Sequence, residues 1–107
     1  MANIGDRVLA KWPSETEWWY PGVVVGIEIE GIEVQYDDGD RASLAEDELM
    51  PLAIGVGSRV YGRWQGGGTY YPGMVTAATG AAIHIEFDDG DKETTSVSMV
   101  RVNESDL

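Results

Sequence analysis

The chain has 107 residues, of which 19 are acidic and 7 are basic, and its net charge is -12. This length allows one compact domain or two very small ones, but not a large enzyme core. The absence of cysteine excludes disulfide bonds, thiolate metal sites and a cysteine nucleophile. No segment approaches the roughly 18 apolar residues of a membrane span, and the N-terminus has no signal-peptide pattern. We therefore expect a cytoplasmic protein, nuclear if eukaryotic, that is not secreted and has no membrane partner.

The acidic charge is concentrated in the first half of the chain. Residues 1–52 carry a net charge of -9, and residues 53–107 carry -3. Such a surface repels phosphate backbones, so nucleic acid is not expected to bind, and a basic protein or peptide is favoured as the partner. The alternative is that the charge serves only solubility.

The sequence contains a direct repeat. Residues 4–12 (IGDRVLAKW) match residues 56–64 (VGSRVYGRW) at an offset of 52. Residues 19–22 match 70–73, and residues 32–40 match 83–91, both at an offset of 51. The lost residue falls just after the first matched segment, where a loop tolerates a change of length. The repeat predicts two tandem domains, residues 1–52 and 53–107.

Each copy has the composition and turn signals of five short strands. Runs rich in Val, Ile, Tyr and Trp alternate with Gly and Pro, and Asp38-Gly39 and Asp89-Gly90 are strong hairpin signals. The strands are predicted near 7–12, 20–28, 31–36, 40–44 and 49–52, and near 59–64, 71–78, 82–87, 91–95 and 99–102. About 50 residues per five-stranded meander predict an all-β fold of two SH3-like barrels.

Several short motifs resemble the Tudor family, which includes Agenet-like domains. They are Lys11-Trp12-Pro13, an aromatic pair before Pro-Gly, Tyr36-Asp37-Asp38-Gly39 and the closing segment 48–52. Together they are similar to the Tudor domain of the lamin B receptor and to the tandem Tudor units of a DNA-damage chromatin reader. The resemblance covers nearly all of residues 4–102 and implies two tandem Tudor barrels.

The resemblance also implies an aromatic cage for methylated lysine or arginine. In the first copy the cage would consist of Trp12, Tyr20, Tyr36 and Asp38. A weaker cage in the second copy would consist of Trp64, Tyr71, Phe87 and Asp89. A methylammonium group is cationic and weakly hydrated, so each ring face attracts it by roughly 0.5–2 kcal/mol, and an aspartate accepts any remaining N–H. The first copy is the preferred site because it lies in the more acidic half.

The sequence departs from the family at Asp40 and Asp91, where methyl-lysine-binding members often have another aromatic residue. An acidic, three-walled cage suits dimethyl-lysine, methyl-arginine or an unmodified basic side chain better than trimethyl-lysine. Alternatively, one or both of Tyr36 and Phe87 belong to the core. A further alternative is that no cage exists.

A second functional hypothesis is an interaction scaffold without a working cage. Trp18 and Trp19 are adjacent in a strand and face opposite ways, so at least one indole is expected at the surface or in an interface. That interface would hold a protein partner or a second copy of the chain.

Catalysis and cofactor binding are not expected. His84 is the only histidine and is expected to be an exposed strand residue, so the chain cannot build a metal site from histidine and cysteine. The Asp37–Asp40 and Asp88–Asp91 clusters lack the spacing of an EF-hand, and a hairpin turn explains both. No nucleophile, base and orienting group assemble in the pattern, so the sequence favours a binding module over an enzyme.

Overall fold

The structure is a computed structural model that describes residues 2–107. The chain divides between Leu52 and Ala53 into two compact units. Across the described residues the structure consists of ten strands and four single 3₁₀ turns, with no α-helix. The all-β prediction is confirmed.

The first unit contains five antiparallel strands. They are β1 (Arg7–Trp12), β2 (Glu15–Glu28), β3 (Gly31–Tyr36), β4 (Arg41–Leu44) and β5 (Leu49–Pro51), with a 3₁₀ turn at Glu46–Glu48. The first four strands form a meander, and β5 returns to pair with β1. The strand order is therefore β5-β1-β2-β3-β4.

The second unit repeats this arrangement. Its strands are β6 (Arg59–Arg63), β7 (Tyr70–Thr79), β8 (Ala82–Phe87), β9 (Lys92–Ser96) and β10 (Val100–Asn103). Its 3₁₀ turns are Trp64–Gly66, Val97–Met99 and Glu104–Asp106. The strand β10 pairs with β6, as β5 pairs with β1, so the order is β10-β6-β7-β8-β9.

The main error of the sequence prediction concerns the start of β2. This strand begins at Glu15, not near residue 20, because Trp12 pairs with Glu15 across a tight turn. The pairing then shifts to Lys11 with Trp19, so residues 16–18 form an irregular insertion in the strand. The polar residues 15–17 resemble a loop by composition, yet they belong to the strand. The other strand ends agree with the prediction or differ from it by one residue, which is ordinary fraying.

Alternation along the strands places one face of each unit in a core. The core of the first unit contains the buried residues Val8, Ala10, Val24, Val34, Tyr36 and Leu44. In the second unit the corresponding strands bury Val60, Val75, Ile83, Ile85, Phe87 and Val100. The small size of each core makes close packing important, because few apolar side chains stabilise about 50 residues.

Glycine is required where β2 pairs with the end of β3 and where β7 pairs with the end of β8. A Cβ atom on Gly22 would lie 2.9 Å from the Gln35 carbonyl oxygen, and one on Gly73 would lie 2.8 Å from Ile85 Cγ2. No ordinary packing tolerates such distances, so any side chain here would push the strands apart.

Candidate functional site

Three of the predicted cage residues in the first unit lie together. Trp12 ends β1, Tyr20 lies in β2, and Tyr36 ends β3. The ring centroids of Trp12 and Tyr36 are 5.2 Å apart, and Tyr20 lies 6.4 Å from each of the other two. We call Trp12, Tyr20 and Tyr36 the first ring cluster.

The rings of this cluster are nearly perpendicular to one another. The interplanar angles are 70° for Trp12 and Tyr20, 69° for Trp12 and Tyr36, and 90° for Tyr20 and Tyr36. Edge-to-face contacts at such angles stabilise the cluster by about 0.5–1.5 kcal/mol per pair.

Tyr36 is the buried member of the cluster. Its side chain is 3% exposed, and its hydroxyl donates a hydrogen bond to the Lys11 carbonyl oxygen. Burial is the main cause that raises the pKa of Tyr36 above its ordinary value, followed by the negative charges of Glu48 and Asp38. Tyr36 is therefore a core residue, as the alternative hypothesis held, and it also contacts two half-buried rings at the end of the barrel.

The turn after β3 holds the fourth predicted residue, Asp38. Gly39 has a φ of +98° and its N–H donates to the Tyr36 carbonyl oxygen at 2.9 Å. This is a three-residue hairpin in which glycine supplies the left-handed conformation. Asp38 Oδ1 accepts the N–H of Asp40 at 3.0 Å, which fixes the direction of the Asp38 carboxylate at the exposed end of the barrel.

An ion pair attaches this turn to β1. The guanidinium of Arg7 donates to both oxygens of Asp37, at 2.6 and 2.7 Å, and also to the Gly22 carbonyl oxygen at 3.1 Å. The second unit repeats the pair with Arg59 and Asp88, at 2.8 and 2.7 Å. The first aspartate of each Asp-Asp-Gly turn thus positions the turn, while the second aspartate lies beside the rings.

The second unit gathers its predicted cage residues around a cavity. The Trp64 and Phe87 rings lie 5.6 Å apart at 86°, and Tyr71 is 45% exposed. A cavity of about 170 Å³ is lined by Trp64, Tyr71, Phe87, Asp89 and Asp91. Asp89 Oδ1 accepts the N–H of Asp91 at 3.0 Å, as Asp38 does in the first unit. The four predicted residues of the second cage therefore share one concave surface.

A strained residue fixes the position of Trp64. Gln65 has a φ of +52°, which is uncommon outside glycine. Its N–H donates to the Glu93 carboxylate at 3.0 and 3.2 Å, and the adjacent Arg63 side chain donates to the Gly67 carbonyl oxygen at 2.6 Å. The glycine-rich loop 66–68 is thus attached to β6.

A larger cavity of about 400 Å³ lies elsewhere in the first unit. It is lined by Ala2, Asp6, Arg7, Val8, Glu46, Leu49, Met50 and Pro51. Because its lining contains no aromatic ring, it offers no cation–π attraction to a methylammonium group.

The two adjacent tryptophans differ in exposure, as alternation requires. Trp19 is 5% exposed, and its ring lies 5.3 Å from the ammonium of Lys11, whereas Trp18 is half-buried. The indole N–H of Trp19 is buried without a hydrogen-bond partner in the described part of the chain. Neither tryptophan is among the predicted cage residues. Their predicted role as interface residues stays a prediction.

Sequence reasoning did not single out Glu48, whose charge acts on Tyr36. Asp91 was noted only as a departure from the family, and it proves to line the second cavity. Glu48 could have been found from the repeat, because the copies differ there: the second copy has Met99 at that position.

Comparison with solved structures identifies the fold. No family model and no curated protein matches the sequence. The tandem Tudor domains of Crb2 have a TM-score of 0.70 and 17% identity, over 99% of this chain and 84% of theirs. The fold is that of a tandem Tudor domain. AGD34 of Arabidopsis thaliana AGDP1 has a TM-score of 0.47 and 15% identity, over 94% of this chain and 82% of that one. The predicted fold and the resemblance in fold to tandem Tudor domains are confirmed.

Among residues 2–107, no helix has the length and apolar character needed to cross a membrane. No three His, Cys, Asp or Glu residues among them are grouped to hold a metal ion. His84 is half-buried, and its Nδ1 lies 2.9 Å from Thr94 Oγ1 on the neighbouring strand.

Proposed function

We propose that the chain is a non-catalytic binding module that takes a methylated lysine or arginine side chain of a basic peptide into an aromatic cage. The observation that supports this most strongly is the first ring cluster, with three nearly perpendicular rings whose centroids lie 5.2–6.4 Å apart. Three ring faces and one carboxylate provide both the dispersion surface and the charge that a methylammonium group needs.

The electrostatic field of the chain supports a basic partner. The net charge is -12, and its larger part belongs to the half that contains the first ring cluster. A cationic peptide is attracted to such a surface, whereas a nucleic acid is repelled. The field adds to the association rate and loses strength as salt is added.

We propose the first unit as the main site and the second as a weaker one. The first ring cluster has three mutually close rings, whereas Tyr71 in the second unit is 45% exposed to solvent. A single cage makes few contacts, so the expected dissociation constant is tens to hundreds of micromolar, which is about -5 to -6 kcal/mol.

Titration with lysine-methylated, arginine-methylated and unmodified peptides tests the function. We expect chemical-shift changes at Trp12, Tyr20 and Tyr36, and a loss of about 1–2 kcal/mol in binding for Trp12→Ala and Tyr20→Ala. Tyr36→Ala is a poor test because Tyr36 is 3% exposed and its truncation would open a hole in the core. Circular dichroism of each variant separates lost binding from lost folding.

Trp64→Ala is the matched control, since Trp64 is the equivalent residue of the second unit. Equal losses for Trp12→Ala and Trp64→Ala would contradict the preference for the first unit. If no peptide shifts the resonances of either unit, the cage function is wrong. The scaffold hypothesis, in which Trp18 and Trp19 hold a protein partner or a second copy of the chain, would then stand in its place.

A further inference from the structure

The hairpin that joins β2 to β3 exposes isoleucine side chains. Ile27 is 53% exposed, and Ile29 in the turn is fully exposed. Ile27 pairs with Ile32 of β3, and Ile32 pairs with Leu44 of β4, so the three side chains form one row on one face of the sheet. Ile32 lies two residues from buried Val34, which identifies that face as the continuation of the core. The row thus runs from buried Leu44, through half-buried Ile32, out to Ile27.

These isoleucines are neighbours on the surface. Single exposed apolar residues are ordinary, whereas a group of neighbouring ones marks a binding surface. Ile27 and Ile32 are cross-strand partners, and Ile29 lies in the turn that joins their strands. We call Ile27, Ile29 and Ile32 the isoleucine patch. Because β3 begins at this patch and ends at Tyr36, the patch and the first ring cluster lie at opposite ends of β3.

Carboxylates lie on the other face of the same hairpin. A Cβ atom placed on Gly26 would lie 3.6 Å from Glu28 Oε1 and 3.6 Å from Glu33 Oε2, so these two side chains flank the same glycine. Glu33 Oε1 accepts a hydrogen bond from the Arg41 guanidinium at 2.8 Å, which offsets its charge. Glu30 is exposed in the turn. Since the glutamates alternate with the isoleucines along the chain, a partner that covers the patch meets negative charge at its border.

The second unit has neither feature. Its equivalent hairpin, residues 77–84, contains no acidic residue, whereas residues 26–33 contain three glutamates. Ala78 and Gly80 stand where the first unit has its exposed isoleucines. Ala78 pairs with Ile83, so the hairpin has the same register in both units. The barrel therefore forms without the exposed isoleucines and glutamates, and the fold does not account for their presence.

We propose that the isoleucine patch is a docking surface for a segment of another protein that carries both aliphatic and basic side chains. Covering Ile27 and Ile29 removes apolar surface from water, which favours association. Lysine or arginine side chains of the partner would face Glu28 and Glu30, and such complementary charges raise the association rate and disfavour other partners. A second copy of the chain does not fit, because its own patch would bring the same glutamates together. An anionic membrane is repelled for the same reason.

The test titrates the full chain, labelled at its isoleucine methyl groups, with three unmethylated peptides. The first peptide alternates lysine with valine. Glutamate replaces lysine in the second peptide, and serine replaces valine in the third. We expect saturable chemical-shift changes at Ile27, Ile29 and Ile32 with the first peptide only, and an affinity that falls as salt is added. Equal changes with the second or the third peptide would overturn the proposal.

The double variant Ile27→Ser with Ile29→Ser removes most of the patch. We expect its affinity for the lysine–valine peptide to be at least about 5-fold lower, because the apolar contact is lost. Ile4→Ser is the matched control, since Ile4 is 67% exposed in the same unit, and it should leave the affinity unchanged. Glu28→Gln with Glu30→Gln keeps the patch and should weaken the dependence on salt. An equal loss in the control, or an unchanged affinity in the isoleucine variant, would contradict the proposal.

Other occupants give different results in the same experiment. Methyl shifts at the patch that depend on protein concentration without peptide would identify a second copy as the occupant. Vesicles of phosphatidylcholine and phosphatidylglycerol that shift the same methyl groups would identify a lipid surface. Either result overturns the proposal. Trp12→Ala should leave the lysine–valine peptide on the patch, so failure of the patch and failure of the proposed cage are separate outcomes.

Discussion

Tyr36 belongs to the core and to the first ring cluster at the same time. Its hydroxyl donates to the Lys11 carbonyl oxygen, while its ring contacts Trp12 and Tyr20. Phe87 holds the same place in the second unit without a hydroxyl, and it too is buried. The ring is therefore what each barrel requires, and the hydroxyl is an addition specific to the first unit.

The variant Tyr36→Phe separates these two roles. Loss of one buried hydrogen bond should lower the free energy of unfolding by about 1 kcal/mol, because the Lys11 carbonyl oxygen loses a donor. The ring face remains, so peptide affinity should stay within about 2-fold of wild type. Urea denaturation and peptide titration check both values. A large loss of affinity with unchanged stability would show that the hydroxyl acts on the ligand.

The ion pair of Arg59 and Asp88 makes stability depend on pH. The hydrogen bond from Arg59 lowers the pKa of Asp88 below its ordinary value. Because the folded pKa is depressed, the contribution is present above the unfolded pKa of about 3.9 and is lost as pH falls through the folded value. In Asp88→Asn, the difference in urea midpoint from wild type should therefore be larger at pH 7 than at pH 3.

Arg59→Gln provides the check on that interpretation. If the pair acts as a unit, the double variant should show the same pH dependence as either single variant. Additive losses in the double variant would mean that the two side chains act separately. Because the Arg59 and Asp88 side chains are exposed, their contribution to stability is small, and repeated measurements are needed to resolve it.

At the scale of the strands, the close pairing of β7 with β8 at Gly73 depends on the absence of a side chain there. Gly73→Ala should lower the free energy of unfolding by about 1–3 kcal/mol, because its Cβ would meet Ile85 and the backbone of Glu86. Gly68→Ala is the matched control in the same unit, since nothing lies within 4 Å of its added Cβ. It should leave stability unchanged or raise it slightly. Thermal or urea denaturation of both variants decides the comparison.

The strands were largely predictable because alternation and turn residues are local properties. Asp-Gly turns located the β3–β4 and β8–β9 hairpins, and the observed φ of +98° at Gly39 and Gly90 agrees with them. The start of β2 was not predictable in this way. Its first residues are polar and exposed, and only the pairing of Trp12 with Glu15 defines them as strand. Such pairing depends on the register, which hydropathy does not encode.

At the scale of the whole molecule, net charge leads to a prediction about nucleic acid. With a charge of -12, binding to DNA or RNA gains nothing from counterion release, so no appreciable affinity is expected at physiological salt. Binding of a basic peptide should instead weaken as salt rises. Fluorescence anisotropy with labelled nucleic acid and peptide, over a range of salt, measures both. Micromolar, salt-sensitive affinity for nucleic acid would contradict the prediction.

The ring residues of each candidate site were predicted from the family resemblance, because their short motifs stand at strand ends in both copies. The degree of burial was not predicted, since it depends on packing. Tyr36 proved to be core, and Trp19 proved to be buried beside half-buried Trp18. Glu48 was missed because its link to the rings passes through the pairing of β5 with β1, about 35 residues away from Trp12 in sequence.

The two copies carry matching ion pairs, Arg7 with Asp37 and Arg59 with Asp88. These pairs show which features the copies share, and other positions show where they differ. Both copies have the ion pair, the Asp-Asp-Gly turn and a glycine without room for a side chain at the same place in the sheet. The copies differ at residues 48 and 99, which are glutamate in the first and methionine in the second. A protein with two copies of one barrel can change such a position in one copy while the other copy keeps its own residue. Exchanging the residues at positions 48 and 99 between the two copies would therefore repeat such a change in the laboratory.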